Sequence, residues 1–177
     1  PYATGSWARL ADNELPLRFL PPLDEAEEMT FEERLRSGFD LALSDGLDVV
    51  FGLPSVLVAM GEKLSQPGQG WNFFKYAKRP RMLFRVVKGL LKSKFAGRAL
   101  LPKDLWKLRG VAIGGADSAV YRQKIYEMWG ADPLDGYGCT EAQILATQTW
   151  DREAMTFIPQ LNFLEFIPEN ERRKARI

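Results

Sequence analysis

Two short clusters contain the residue types best suited to chemistry: Gly114-Gly115-Ala116-Asp117 and, about twenty residues later, Asp135-Gly136-Tyr137-Gly138-Cys139-Thr140-Glu141. Glycines at the end of a strand let a ligand approach the backbone where a side chain would block it, and a following helix start offers free amides to an anionic or polar group. Tyr137 presents a flat face for stacking. Thr140 has a hydroxyl that can donate to a phosphate oxygen, and Glu141 has a hard oxygen suited to magnesium. Together these residue types describe a site for a magnesium nucleotide.

Other chemistries are excluded by composition. The chain of 177 residues contains no histidine and one cysteine, which removes Ser-His-Asp triads, zincin motifs, intramolecular disulfides and multi-cysteine zinc sites. With no histidine to activate it, Cys139 is expected to be a small buried thiol rather than a nucleophile. No apolar run approaches the ~18 residues needed to cross a bilayer, and no secretory start is present, so a cytoplasmic setting is the expectation. The first residue is proline, as expected for a piece of something longer.

The order of the two clusters is informative. Tyr137-Gly138-Cys139-Thr140-Glu141, preceded by a strand-end Gly114-Gly115-Ala116, resembles the adenylate-forming superfamily of acyl-CoA synthetases, luciferases and peptide-synthetase adenylation domains. Within it, Phe163-Leu164-Glu165-Phe166-Ile167-Pro168 is similar to a strand of the plant auxin-responsive promoter family, the acyl-acid amido synthetases. The resemblance is good over residues 110–169, thin over 47–64, and covers about half the chain.

It implies an ATP-dependent ligase that converts a carboxylic acid to an acyl-adenylate and passes the acyl group to an amine or thiol. Gly114, Gly115 and Ala116 would line the adenine pocket, with Asp135, Gly136, Tyr137 and Gly138 as its other wall. Tyr137 would stack on the base and Asp135 would accept from the adenine amino group. Thr140 would touch the α-phosphate and Glu141 would hold Mg2+. Two parts of such a ligase have no counterpart in these residues: the phosphate loop upstream, for which Tyr2-Ala3-Thr4-Gly5-Ser6 is too short, and the late domain with its catalytic lysine. The chain is therefore expected to hold adenylate weakly and to be inactive alone. The alternative is a non-catalytic module that binds a nucleotide or a protein partner, or docks on anionic membrane through a basic helix.

The clusters need elements to position them. Thr30 and Glu33 fit a capping box at the start of a helix with Phe31, Leu35, Phe39 and Leu43 at helical spacing, stopped by Gly46. Asp48 to Phe51 is a short strand, ended by Gly52 and Pro54, before a helix over 55–64. A further strand spans 111–113, and Asp117 or Ser118 caps a helix to Trp129, stopped by Gly130. Leu134 to Tyr137 is a strand, 144–166 alternates as antiparallel strands, and 17–20 reads as one short strand. This pattern predicts an α/β fold: a mostly parallel sheet with covering helices and a C-terminal antiparallel strand pair, with ligands outside the carboxyl ends of the strands. As one domain or fragment it divides into loop or edge (1–22), a helical half with one strand (23–109), a nucleotide-site half (110–169) and a tail (170–177).

The net charge of +1 conceals two blocks. Residues 11–48 hold eleven acids against three arginines, and residues 71–109 hold twelve bases against Asp104 alone. The second block includes a basic amphipathic helix over 81–95, with Met82, Val86, Val87, Leu90, Leu91 and Phe95 on one face. That stripe is expected to pack in the core beneath a solvated basic face. A membrane surface or the phosphates of a ligand are the alternatives.

Overall fold

A computed structural model describes residues 8–9, 16–66, 79–115, 117–139 and 141–174. The linker expected from Gln66 to Gly70 lies outside them beyond Gln66. Among the described residues from 16 on, seven helices and five strands follow in order: α1 (Leu23–Glu28), α2 (Phe31–Asp45), β1 (Val49–Gly52), α3 (Pro54–Ser65), α4 (Pro80–Phe95), α5 (Pro102–Leu105), β2 (Gly110–Gly114), α6 (Ser118–Trp129), β3 (Leu134–Cys139), β4 (Gln143–Gln148), β5 (Met155–Phe157) and α7 (Glu169–Lys174).

The helix boundaries have local causes. At α2, the Glu33 backbone N–H donates to Thr30 Oγ1, while Thr30 N–H donates to the Glu33 carboxylate at 2.9 Å. This box satisfies two amides that the first turn leaves without helical partners. Gly46, at φ +109°, closes the helix by donating to Ala42 O. Pro54 and Pro80 open α3 and α4, where the missing N–H costs nothing. Gly130 ends α6 in the left-handed conformation. α1 is an element the periodicity missed. It is a six-residue helix behind Pro22 with Asp24 and Glu25 in its first turn, tied to α2 by Arg34, which donates to Ala26 O and Met29 O.

The sheet order is β1-β2-β3-β4-β5. β1, β2 and β3 are parallel, with Val50 opposite Val111 and Ile113 opposite Asp135. β3, β4 and β5 form an antiparallel meander, with Tyr137 opposite Ala146 and Ala146 opposite Phe157. The expected α/β class with a mostly parallel first part is thus present, as a mixed five-stranded sheet. One face packs against α3 and α6: Val111 and Ile113 are buried there with Leu57, Val58, Ile125 and Trp129. On the other face Val49 and Phe51 are exposed.

The core is built around two indoles. Trp106 and Trp129 stack at 6.3 Å, and Phe39 meets Trp106 edge-on at 5.3 Å. Each indole N–H finds a backbone acceptor: Trp106 donates to Ala42 O at 2.9 Å and Trp129 to Leu57 O at 3.1 Å. A buried indole needs such a partner, so these bonds fix α2 to the segment after α5, and α3 to α6. Arg85 of α4 also donates to Ala42 O and Leu43 O, covering carbonyls at the end of α2.

Three expected elements differ. Residues 16–19 are irregular, not a strand, because Pro21 and Pro22 follow and no strand pairs with them. Residues 163–168 are also irregular. Phe163 and Phe166 are exposed, and Phe166 touches Phe157 edge-on at 5.5 Å without joining its ladder. The expected tail contains α7.

The basic helix is the largest correction. Only Met82, Val86, Gly89 and Ser93 of α4 are buried, a seam one residue wide. Val87, Leu90, Leu91 and Phe95 do not pack in the core; they are exposed, along with Leu83 and Phe84. Among the described residues, no helix is long and apolar enough to cross a membrane.

Candidate functional site

Both clusters lie at carboxyl ends of neighbouring parallel strands. Gly114, the last residue of β2, pairs with Gly136 of β3. A Cβ on Gly114 would stand 3.1 Å from Gly136 O, a tighter contact than most side chains make, so the two backbones approach unusually closely there. Gly115 follows at φ +136°, a conformation that side-chain-bearing residues rarely adopt. Ser118 fastens this turn by donating its hydroxyl to Gly115 O at 2.7 Å, and its own N–H points at the same oxygen at 3.4 Å. The turn therefore uses one amide that the sequence left free for a ligand. Asp117 is the N-cap residue, but its side chain makes no capping bond.

A third turn joins the other two. A Cβ at Gly115 would lie 3.9 Å from both Leu53 Cδ2 and Pro54 Cδ, so the corner after β1 borders the glycine corner after β2. In the sequence Gly52 and Pro54 mark only a tight turn between a strand and a helix, because nothing in a Gly-Leu-Pro turn marks it as a neighbour of a segment sixty residues away.

β3 runs past β2. Its pairing with β2 ends at Gly136, and three more strand residues follow. At about 3.3 Å per residue this projects the strand roughly 10 Å beyond the glycine turn. A register shift between Tyr137 and Gly138 bends this overhang. Tyr137 is 53% exposed, not a core ring, and Gly138 and Cys139 are exposed with it. The overhang turns into β4 as a hairpin, so Glu141 occupies a strand-to-strand turn and caps no helix.

Two acids differ in environment. Asp135 stands on the face shared with Ile113, and its Oδ1 is buried with no hydrogen-bond partner among the described residues. Such an atom is costly to leave unpaired, by about 1–3 kcal/mol, so an approaching donor would be stabilised there. The backbone of Asp135 is held firmly: its N–H donates to Gln148 Oε1 at 3.1 Å, and its carbonyl accepts from Thr147 Oγ1 at 3.4 Å. Glu141 is exposed. Its own backbone N–H, then the Cys139 thiol, hydrogen-bond to the carboxylate and hold its pKa below the ordinary glutamate value, so it is charged at neutral pH. Cys139 is accordingly an exposed thiol, not a buried one.

Gly114, Gly115, Asp135 and Gly136 are thus brought together, with Tyr137 and Gly138 next to them. Glu141 lies farther out, on the hairpin turn. Ala116 and Thr140 lie outside the described residues. Among those described, no group of three or more acidic, cysteine or histidine side chains could hold a metal; Glu141 is a single carboxylate. Two shallow grooves lie along α1 and α2, lined by residues such as Pro22 and Glu28, and touch neither cluster. The rim is an open ledge. Of the residues that brace it, Ser118 was legible only as a helix cap, and Thr147 and Gln148 carry no sequence signal beyond being polar.

Comparison with known protein families, curated proteins and solved structures returned no match to this chain.

Proposed function

We propose that the chain is the nucleotide-binding part of an ATP-dependent ligase of the adenylate-forming kind, similar to acyl-acid amido synthetases. The observation that carries the reading is the pairing of Gly114 with Gly136, one residue after a buried, unpartnered Asp135 oxygen. A flat base entering beside Gly115 meets no side chain from that residue and borders Leu53 and Pro54, and the exposed ring of Tyr137 offers a face to stack on it. Asp135 Oδ1 is an acceptor. Adenine offers an amino donor where guanine carries a carbonyl oxygen, so the same oxygen that attracts one base repels the other.

The overhang of roughly 10 Å matches the reach of a nucleotide from base to phosphate. Glu141, charged and solvent-facing, suits a magnesium ion whose remaining ligands are phosphate oxygens and water. ATP would supply the adenylyl group that activates a carboxylic acid, and an amine or thiol would then take the acyl group. The residues described here bind and orient; the ledge is open, as expected of a site completed by a second body. These residues bind and orient adenylate; turnover would also need a phosphate loop and a catalytic lysine.

The test is equilibrium binding of AMP and GMP to the chain by calorimetry. The expected result is a preference for AMP, lowered about tenfold or more by Asp135→Ala, in line with one buried hydrogen bond. Equal affinity for the two nucleotides, or an unchanged preference in Asp135→Ala, refutes the assignment. In a longer chain containing the phosphate loop, Glu141→Ala should abolish magnesium-dependent pyrophosphate exchange while leaving the fold intact.

A further inference from the structure

The surface of α4 has its own chemistry, independent of the nucleotide reading. Around the helix, Met82, Val86, Gly89 and Ser93 form the buried seam. At 100° per residue, the pole opposite that seam is occupied by Phe84, Val87, Leu91 and Phe95, with Leu83 on its flank. A helix pole that points into water normally carries charge. Here Phe84 is 70% exposed and Phe95 91% exposed. One flank carries Arg81, Lys88 and Lys92, Lys94 lies within the apolar stripe, and no acidic residue occurs anywhere in the helix.

Three of these bases are uncommitted. Lys88, Lys92 and Lys94 form no ion pair among the described residues. The acids of α1 and α2 gather at the opposite end of the helix, around Arg79. Asp104, the acid of the following segment, is taken by Arg98 at 2.7 Å. The carboxyl half of α4 is therefore both apolar and cationic, and its lysines pair with no acid among the described residues.

We propose that α4 docks this protein on an anionic lipid bilayer, lying in the interface plane with its aromatic and aliphatic pole among the acyl chains and its lysines at the headgroups. The complementarity is specific. Large apolar side chains on the outward pole match the acyl boundary, and the flanking lysines match a negatively charged headgroup layer. Sixteen residues give a helix about 24 Å long, which lies on a bilayer and does not span it.

Co-sedimentation of the protein with vesicles of phosphatidylcholine alone, and of phosphatidylcholine with phosphatidylserine, tests this. The expected result is partition onto the anionic vesicles that weakens as salt is raised. Lys88→Gln/Lys92→Gln/Lys94→Gln should lower that partition by about a hundredfold, since each basic residue contributes about fivefold near such a surface. Phe84→Ser/Phe95→Ser should lower it comparably, with far-ultraviolet circular dichroism confirming the fold of both variants. No partition, or equal partition onto neutral and anionic vesicles, overturns the proposal. So does self-association that the phenylalanine substitutions abolish while vesicles stay unbound, which would assign the pole to a second copy of the chain.

Discussion

A single methyl group distinguishes the two glycines that face each other across β2 and β3. In Gly114→Ala the new Cβ would stand 3.1 Å from the Gly136 carbonyl oxygen, a backbone atom that cannot rotate away. Overpacking of this kind costs about 1–3 kcal/mol, and the loss of glycine's unfolded-state freedom returns about 0.5–1 kcal/mol. The net expectation is a loss of about 1–2 kcal/mol. In Gly136→Ala the nearest atoms are Ile113 O at 3.6 Å and Ala146 O at 4.0 Å, ordinary contacts, so only the gain remains. The two variants should therefore differ by about 2 kcal/mol in opposite directions from the parent. Urea denaturation followed by tryptophan emission resolves this, because a slope of about 2 kcal/mol/M separates the midpoints by about 1 M. If Gly114→Ala unfolds at or above the midpoint of Gly136→Ala, the close approach of the strands at the ledge is wrong, and the candidate site loses its geometry.

Asp104→Asn should reduce stability at neutral pH by about 1.5–3 kcal/mol, because Asp104 accepts from both Arg98 guanidinium nitrogens and from Leu101 N–H. Burial pushes the Asp104 pKa up, but those bonds outweigh it and leave the value below the ordinary one. The contribution is thus complete above the unfolded-state pKa and fades as pH falls through the lower folded value. The gap between Asp104→Asn and the parent should close below about pH 4 in acid titrations of the unfolding midpoint; a gap constant to pH 2 would contradict this. Trp129→Phe keeps most of the buried ring but leaves Leu57 O without its donor, and should cost about 1–2 kcal/mol in the same denaturation assay. A change within a few tenths of a kcal/mol would show that this hydrogen bond contributes nothing.

Local signals marked the elements well wherever they were chemical. The capping box of Thr30 and Glu33, the stops at Gly46 and Gly130, and the strand-turn-helix around Pro54 each follow from one or two residues acting on their own neighbours. The rim was legible for the same reason: glycines after a strand announce a corner. Long-range facts were not legible. The stripe on α4 has helical spacing whether it meets a core or water, and the sequence contains no term for which neighbour arrives, so burial of Val87 and Phe95 was wrongly expected. Residues 163–168 alternate like a strand, but a strand also needs a partner edge, and none reaches them. Glu141 after Thr140 has the pattern of a helix cap or of a hairpin turn. What decides is the pairing of Cys139 with Gln143, which lies beyond local propensity.

The amide of Gln148 has a mechanical consequence. Its oxygen accepts from Asp135 N–H and from Arg122 of α6, and its nitrogen donates to Arg152 O in the turn before β5. Arg122 and Arg152 also converge on Asp132, whose burial raises its pKa while their hydrogen bonds lower it further than burial raises it. One uncharged side chain thus couples a helix, a strand and a turn. Glutamate in its place would turn the donor toward Arg152 O into a second acceptor, and leucine would free all three partners at once. The aspartate facing the ledge consequently moves with α6 and the meander as one body, and any opening of the ledge must be hinged elsewhere.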